Sequence, residues 1–455
     1  MTSNHSGAID ALGKKLRSVG CDIPTAKSDA WKVAVRKWNG ALDTNPALVA
    51  RCATSRQVSE ALRAARDANI AISVHCGGQD WTGRSLRDGS LVIDLSGMTG
   101  LSIDVGHREA VIEGGVTTGQ LNQAAAEHGL AAVIGNDGSV GVMGLILAGG
   151  YGPLMTRFGL ACDSLLSARV VLPDGEIVTC DADHSEDLFW ALRGGGGNFG
   201  VVTSARIRLH APGPVLAGSI VFPWPDARAA LRCFGELMLR APAELFGAAI
   251  LSLGPGGQPV AVISPTWTGN AREGEAIMAE IAAAGTPVLA NVGPMQATEL
   301  LSLTDNKLAQ GRGYEVATRW LRKLSPAAVD AIVSAFEART SPQSSVIIHH
   351  CHGAATEIAP ETTAFGMREP HFTVLIYAAW APGASDAELH QRWARQLGAD
   401  LISEALPGGY ANLLPDDAAD QIMGAFGPNG PSLVKLKNRY DPGRILRAIP
   451  LPFAE

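Results

Sequence analysis

The 455-residue chain contains no uninterrupted apolar run of the length a bilayer requires, so no membrane-spanning helix is expected and no membrane partner is read. A basic excess is also missing. Its 37 Lys and Arg stand against 44 Asp and Glu, a formal net charge of −7. That balance leaves no electrostatic footprint for nucleic acid and is ordinary for solubility. Seven cysteines, an odd number without paired spacing, do not form a disulfide framework and read as reduced thiols. The opening "MTSNHSGAIDALGKKLRSVG" lacks the apolar core of a secretory leader, which makes a soluble cytoplasmic protein, monomer or homodimer, the expectation. No G-x-x-x-x-G-K-[ST] motif occurs, so a P-loop nucleotide site is excluded. Internal repeats are absent, and only the first ten residues are expected to lack structure.

What is present is a globular composition, 46% hydrophobic and 18% charged, in a chain long enough for two domains. Residues 46–74 read strand, helix, strand, with Val58, Leu62 and Ala65 at helical spacing and Ser55 as the N-cap. "ARVVLPDGEIVTC" is a hairpin across Pro-Asp-Gly. Past residue 210 the glycine clusters stop. Strands are expected at 244–253, 258–266, 344–351 and 371–380, with amphipathic helices at 272–284, 325–338 and 386–404. From residue 405 a glycine- and proline-containing texture returns, so the tail is expected to rejoin the first domain.

Three glycine clusters lie at 77–78, 135–152 and 194–200. Each alone reads as a turn. Together, separated by strands, they point to loops converging on one extended anionic ligand, because exposed amides hold phosphate oxygens without lysine. "GGGNFG" matches G-x-G-x-x-G at Gly195, Gly197 and Gly200. It follows a helix and opens a strand, the reverse of the dinucleotide-binding βαβ order, so that reading fails.

The segments "ISVHCGGQDWTGRSLRDGSLVIDLS", "GSVGVMGLILAGGYG", "DLFWALRGGGGNFGVVT", "GGYANLLPDD" and "LKNRYDPGRIL" resemble, in this order, flavoproteins like berberine bridge enzyme, of the vanillyl-alcohol oxidase or PCMH-type FAD-binding superfamily. The resemblance spans nearly the whole chain. It implies an α+β fold: a two-domain PCMH-type FAD-binding fold with an antiparallel-sheet substrate domain. The FAD domain would comprise 1–206 and the returning segment 405–455, with 207–404 as substrate domain. By the same resemblance His75, Cys76, Gly77, Gly78, Gln79 and Asp80 form the loop that cradles the FAD pyrophosphate. Asp137, Val140, Gly141, Gly144, Leu145, Gly150, Gly152, Val202 and Asn412 complete the cofactor set. Relatives carry a flavin-linking His where Gln79 stands and a linking Cys where Asp137 stands. Both attachment chemistries are missing and Cys76 is misplaced to replace them, so FAD is expected to be held non-covalently. Val140 lies where a small side chain leaves room for O₂.

For catalysis, the family's usual Glu or Gln position on the strand 372–380 is Leu375 here. The cluster "HHCH" offers an alternative: His350 and His352 share one strand face and His349 takes the other. A neutral imidazole suits a base at physiological pH. Tyr410 and Asn412 fall in a stretch that the resemblance places beside flavin and substrate. Tyr314 is a weaker candidate. The catalytic expectation is therefore His350, His352, Tyr410 and Asn412, with no metal, since no further ligands accompany the histidines. The function expected is FAD-dependent oxidation of a small organic molecule at a C–H next to an alcohol or amine, with electrons passed to O₂. A non-redox flavin lyase or cyclase and an FAD-dependent dehydrogenase remain as alternatives.

Overall fold

The computed structural model describes residues 3–303 and 308–453. Its strands form three sheets. β1 (Leu48–Arg51), β2 (Ile72–His75) and β3 (Leu91–Asp94) make a small parallel sheet in the order β1-β3-β2. β4 (Leu101–Asp104), β5 (Glu109–Glu113), β6 (Leu165–Val171), β7 (Ile177–Asp181) and β8 (Val201–Arg208) form a second sheet, ordered β4-β5-β8-β6-β7. The third has seven antiparallel strands: β9 (Pro214–Pro223), β10 (Leu245–Leu253), β11 (Pro259–Trp267), β12 (Leu289–Gln296), β13 (Gly313–Leu321), β14 (Ser345–Cys351) and β15 (His371–Trp380). Their order is β12-β9-β11-β10-β14-β15-β13.

The crossover from β1 to β2 is the helix Ser55–Asp67, whose apolar stripe Val58, Leu62 and Ala65 is fully buried. Its N-cap is Thr54, which accepts from the Gln57 amide, and not Ser55. Ser55 instead turns its hydroxyl to Thr203 on β8. The segment expected to lack structure is the helix Ser3–Ser18; Met1 and Thr2 lie outside the described residues. Leu12 and Leu16, one turn apart, are buried in the same apolar cluster as Val58 and Leu62, and that stripe makes the helix dock.

All ten residues of β15 are buried. A strand reads as continuously apolar when both faces are covered. One face lies in a cluster with the helices Ala227–Met238, Pro326–Glu337 and Ala387–Asp400. The other face borders the cavity described below.

The reversed glycine motif has a structural duty. Asn198, 2% exposed, donates to Ile449 O (2.9 Å) and accepts from the Ala448 amide (2.9 Å). Lys437, on the helix Gly430–Tyr440, donates to Asn198 O (2.7 Å), Leu446 O (2.6 Å) and Asp441 (2.6 Å). The Lys437–Asp441 side chains are 2% and 1% exposed. The C-terminal segment is thereby tied to the loop 195–200. Removing one member of a buried ion pair strands the other charge. Lys437→Met is therefore expected to cost about 3–5 kcal/mol, read as a lowered urea midpoint of the holoprotein.

Candidate active site

Between the two smaller sheets and the seven-stranded sheet lies a cavity of about 880 Å³. Its first wall consists of two loops, 75–80 leaving β2 and 135–144 entering the short helix Val142–Leu147. They run in backbone contact. A Cβ on Gly77 would sit 2.6 Å from Ser139 O and 2.7 Å from Gly141 N; one on Gly141 would meet Cys76 Sγ at 2.7 Å. Gly78 has φ +69°, and its Cβ would lie 2.8 Å from Arg36 O. Glycine is obligatory at these three positions for steric reasons. A Cβ on Gly144, by contrast, would meet nothing within 4 Å, so this glycine widens the cavity.

This wall fits an anionic group. The amides of Gly78, Gln79 and Asp80 donate to no acceptor among the described residues. Arg84, whose side chain is 5% exposed, lines the same region; its Nη1 is 3.9 Å from Asp416, and neither Nε nor Nη1 makes a hydrogen bond among the described residues. Its Nη2 donates to Asp80 (3.3 Å) and to Asn412 O (3.2 Å). Gln79 Nε2 donates to Ser139 Oγ (2.5 Å), which in turn donates to Asp137 (2.5 Å), so one hydrogen-bonded chain joins the two loops. Burial pushes the Cys76 thiol up to about 11, and burial lowers His75, whose Nδ1 has no partner.

The opposite wall is the seven-stranded sheet. Phe246, Ala248, Ile250, Ile347, Leu375 and Tyr377 face the cavity, and no sheet residue lining it is charged. The rim is a latch between distant segments. Trp38 stacks on Tyr314 at 3.8 Å, Asn39 donates to Trp81 O and Tyr314 O, and Trp81 Nε1 donates to Leu413 O.

Of the residues named from sequence, His75 through Asp80, Asp137, Val140, Gly141, Gly144, Leu145, Gly152, Val202, Tyr410 and Asn412 all line the cavity. Gly150 does not. It is a left-handed turn residue (φ +82°) whose Cβ would strike Ala161 at 2.6 Å. His350 and His352 are also outside, and the β14 pleat gives the reason. His350 shares its face with Val346 and Ile348, and its ring lies 4.3 Å from Phe372 in the helix-covered core. His350 Nδ1 lies 3.0 Å from His352 Nδ1, and His352 Nε2 lies 3.3 Å from Pro242 O. Burial holds His350 down at about 2.

The pleat brings His349 to the cavity instead. Its Nε2 is buried without a hydrogen-bond partner among the described residues, and burial, with the neighbouring His371, holds the imidazole at about 3. The His349 ring is 5.1 Å from Tyr151, and Tyr151 is 4.8 Å from Tyr410. The Tyr151 hydroxyl is 2.9 Å from His371 Nε2, and His371 Nδ1 is 2.7 Å from Glu369 O. That second contact makes Nδ1 the donor, which leaves Nε2 to accept from the phenol. Tyr410 Oη is buried and makes no hydrogen bond among the described residues, with Asn412 and Gly150 near it, and burial raises both phenols. Tyr314 packs in the latch, with its hydroxyl donated to Ala309 O (2.7 Å). Among the described residues no group of three or more His, Cys, Asp or Glu could hold a metal, and no helix is long and apolar enough to cross a membrane.

The fold and the anion-fitting wall define a nucleotide-cofactor protein, and the comparisons specify it. The FAD binding domain family matches residues 46–181. The (R)-6-hydroxynicotine oxidase of Paenarthrobacter nicotinovorans is 30% identical over 427 residues, covering 89% of this chain and 90% of that one. The crystal structure of 6-hydroxy-D-nicotine oxidase from Arthrobacter nicotinovorans superposes with a TM-score of 0.85 at 26% identity, over 96% of this chain and 98% of that one. Glucooligosaccharide oxidase from Acremonium strictum, which carries a 6-S-cysteinyl, 8α-N1-histidyl FAD, has a TM-score of 0.87 at 22% identity, over 98% of this chain and 100% of that one. The chain belongs to the FAD-linked oxidoreductases, with the two-domain fold of the berberine-bridge-enzyme-like oxidases, and is an FAD-dependent oxidoreductase.

The contact between the loops generates a direct test. Gly78→Val adds a branched side chain at φ +69° against Arg36 O. The purified variant is expected to be colourless apoprotein with retained secondary structure by circular dichroism. Normal flavin absorbance would refute the placement.

Proposed function

We propose that this protein is an oxidase of a small neutral organic molecule, with FAD bound non-covalently and electrons delivered to O₂. The observation that carries the reading is the cavity's division: one wall offers the amides of residues 78–80 and the spare donors of Arg84, the other is an apolar sheet bearing neutral hydrogen-bonding groups. Residues 75–80, 137–144 and Arg84 would hold the cofactor's phosphates. Residues 1–206 with 405–455 would form the cofactor unit and 207–404 the substrate unit. FAD, when bound, supplies the two-electron acceptor. An odd number of cysteines without paired spacing supports a reducing, cytoplasmic setting.

Non-covalent attachment is supported by the residues at the two linking positions. An amide at Gln79 and a carboxylate at Asp137 are bridged through Ser139, and neither carries a nitrogen or sulfur nucleophile. Cys76 sits against Gly141 and is held as a neutral thiol. Acid precipitation is therefore expected to release all yellow colour into the supernatant. Flavin fluorescence on the denatured polypeptide band would overturn it.

On the substrate side, His349 replaces His350 and His352 as the imidazole we assign to the reaction. Its free Nε2 and the Tyr410 hydroxyl would orient the substrate O–H or N–H, with Tyr151 and His371 bracing both rings. Every one of these groups is neutral at neutral pH. Burial lowers the imidazoles and raises the phenols, so the wall favours an uncharged substrate. His349→Phe and Tyr410→Phe are each expected to keep FAD yet slow anaerobic flavin reduction by at least about a hundredfold, while His350→Asn stays within a few-fold. The imidazoles titrate well below neutrality and the phenols above it, so flavin reduction by a neutral substrate is expected to be flat with pH around neutrality in wild type and in His349→Phe alike. Anaerobic bleaching by a panel of neutral alcohols and amines identifies the substrate class. A flavin that no panel member reduces, in a protein that still converts one of them, would identify a lyase or cyclase.

A further inference from the structure

We infer that Cys21 and Cys52 form a reversible cross-strand disulfide that fastens the N-terminal segment to the strand–helix–strand unit feeding the cofactor loop. The geometry follows from one backbone bridge. Asp22 N donates to Arg51 O (3.2 Å) and Arg51 N donates to Asp22 O (2.8 Å), so Asp22 and Arg51 are a hydrogen-bonded antiparallel pair. The next residues outward, Cys21 and Cys52, are then directly opposed as a non-hydrogen-bonded pair, with side chains on one face. Their amides are engaged elsewhere, as such a pair requires: Cys21 N donates to Leu16 O (3.1 Å) and Cys52 N to Asp94 O (2.9 Å). Opposed Cα atoms in this arrangement lie about 4.5 Å apart, inside the roughly 4.4–6.8 Å window of disulfides.

Independent observations bring the sulfurs together. Both side chains are buried, 5% and 2% exposed, in one cluster with Leu12, Leu16, Val58 and Leu62. The Cys52 thiol donates to Ala50 O (3.6 Å), and the closeness of the two sulfurs lowers the Cys21 thiol while it, with burial, raises that of Cys52. Both are free thiols in this structure. The segment bearing Cys21 is held at its approach, where Gly20 is left-handed (φ +87°) and its carbonyl accepts from Gln57 Nε2 (2.7 Å).

The chemistry balances with hydrogen peroxide as oxidant, the species that O₂ reduction releases under the proposed function. The Cys21 sulfur attacks one peroxide oxygen, the O–O bond breaks, and water leaves a sulfenic acid. The Cys52 sulfur then displaces the sulfenic oxygen as a second water. Two thiols lose two electrons and two protons; one peroxide becomes two waters. The bond would close the chain across the helix Ser55–Asp67 end of β1, shrinking the unfolded ensemble and stabilising the unit that ends at His75.

The test uses reduced, desalted holoprotein and added peroxide, so its outcome is independent of whether the protein itself makes peroxide. After a catalase quench, the protein is denatured in N-ethylmaleimide, digested and mapped by mass spectrometry. The expected product is one linked peptide pair containing Cys21 and Cys52, lighter by two hydrogens and split by dithiothreitol. The half-exposed Cys233 should remain alkylatable under the same dose. The apparent Tm should rise by several degrees in wild type and not in Cys52→Ala. Recovery of both cysteines as alkylated thiols, their separate overoxidation to sulfinic acid, or linkage to a different cysteine would overturn the assignment. Complete linkage without a Tm rise would overturn the fastening role. The mapping needs only wild-type protein, so a variant that fails to fold leaves it decisive.

Discussion

The cavity depends on a contact where two chains cross without side chains. Loop 75–80 and loop 135–144 approach until a single Cβ on Gly77 or Gly141 would overlap the facing backbone or Cys76. Interiors packed at crystal density give no slack for such an overlap. This crossing sets where β2 delivers its free amides and where the helix Val142–Leu147 begins. It also brings Gln79 and Asp137 within reach of one serine hydroxyl, which ties together two side chains that would otherwise project independently.

The latch at the opposite end answers a different need. The seven-stranded sheet meets the two smaller sheets through an apolar face, and apolar contact alone specifies orientation poorly. Asn39 supplies the direction. It is 2% exposed, donates to Trp81 O and Tyr314 O, and accepts from the Tyr314 and Ala41 amides, so its whole amide is committed to three chain positions. Gly40 and Gly311 permit the approach: a Cβ on Gly40 would lie 2.1 Å from Gly311 O. The wall behind this rim bears no charged sheet residue among the described residues, and a hydrogen bond made in so apolar a setting is correspondingly stronger.

Local pattern made much of this legible. Val58, Leu62 and Ala65 named a helix, Pro-Asp-Gly named the β6–β7 hairpin, and the glycine clusters named the cavity wall. What escaped was information held in strand pairing. The sequence separated His349 from His350 and His352 by parity, yet parity alone does not say which face is inward. That needed the register Ile347↔Leu375, which puts His349, two residues on, on the Leu375 side. The same pairing places Tyr377 in the cavity. Arg84 was missed although it closes the "GGQDWTGR" stretch; an arginine four residues after an aspartate reads first as an ion pair, and its spare donors become visible only in three dimensions. Strands β9, β12 and β13 escaped because Gly218, Pro294 and the polar positions of β13 break simple alternation. The helix Ser3–Ser18 escaped because Leu12 and Leu16 gain their meaning only against Val58 and Leu62.

Two buried ion pairs stand at the remaining seams, and their positions explain why ionic groups are used there. Lys437–Asp441 joins the returning C-terminal segment to the loop 195–200, and Arg368–Asp163 joins the β14–β15 connection to the segment before β6. Well-packed apolar residues could match such pairs in stability, because each charge gives up hydration on burial. An apolar seam, however, tolerates sliding, and these seams have fixed registers. Asp441 also accepts the amides of Ile445 and Leu446, and Asp163 accepts that of Leu160. Arg368 meets Asp163 through both terminal nitrogens and adds Ala355 O, Phe365 O and Thr363 Oγ1. With every N–H of Lys437 and Arg368 assigned, a shift of one residue at either seam would bury an unpaired charge. The ion pairs therefore work as register pins, and they hold Phe365 against Gly149 and Gly194, where the β14–β15 connection touches the glycine loops that frame the cavity.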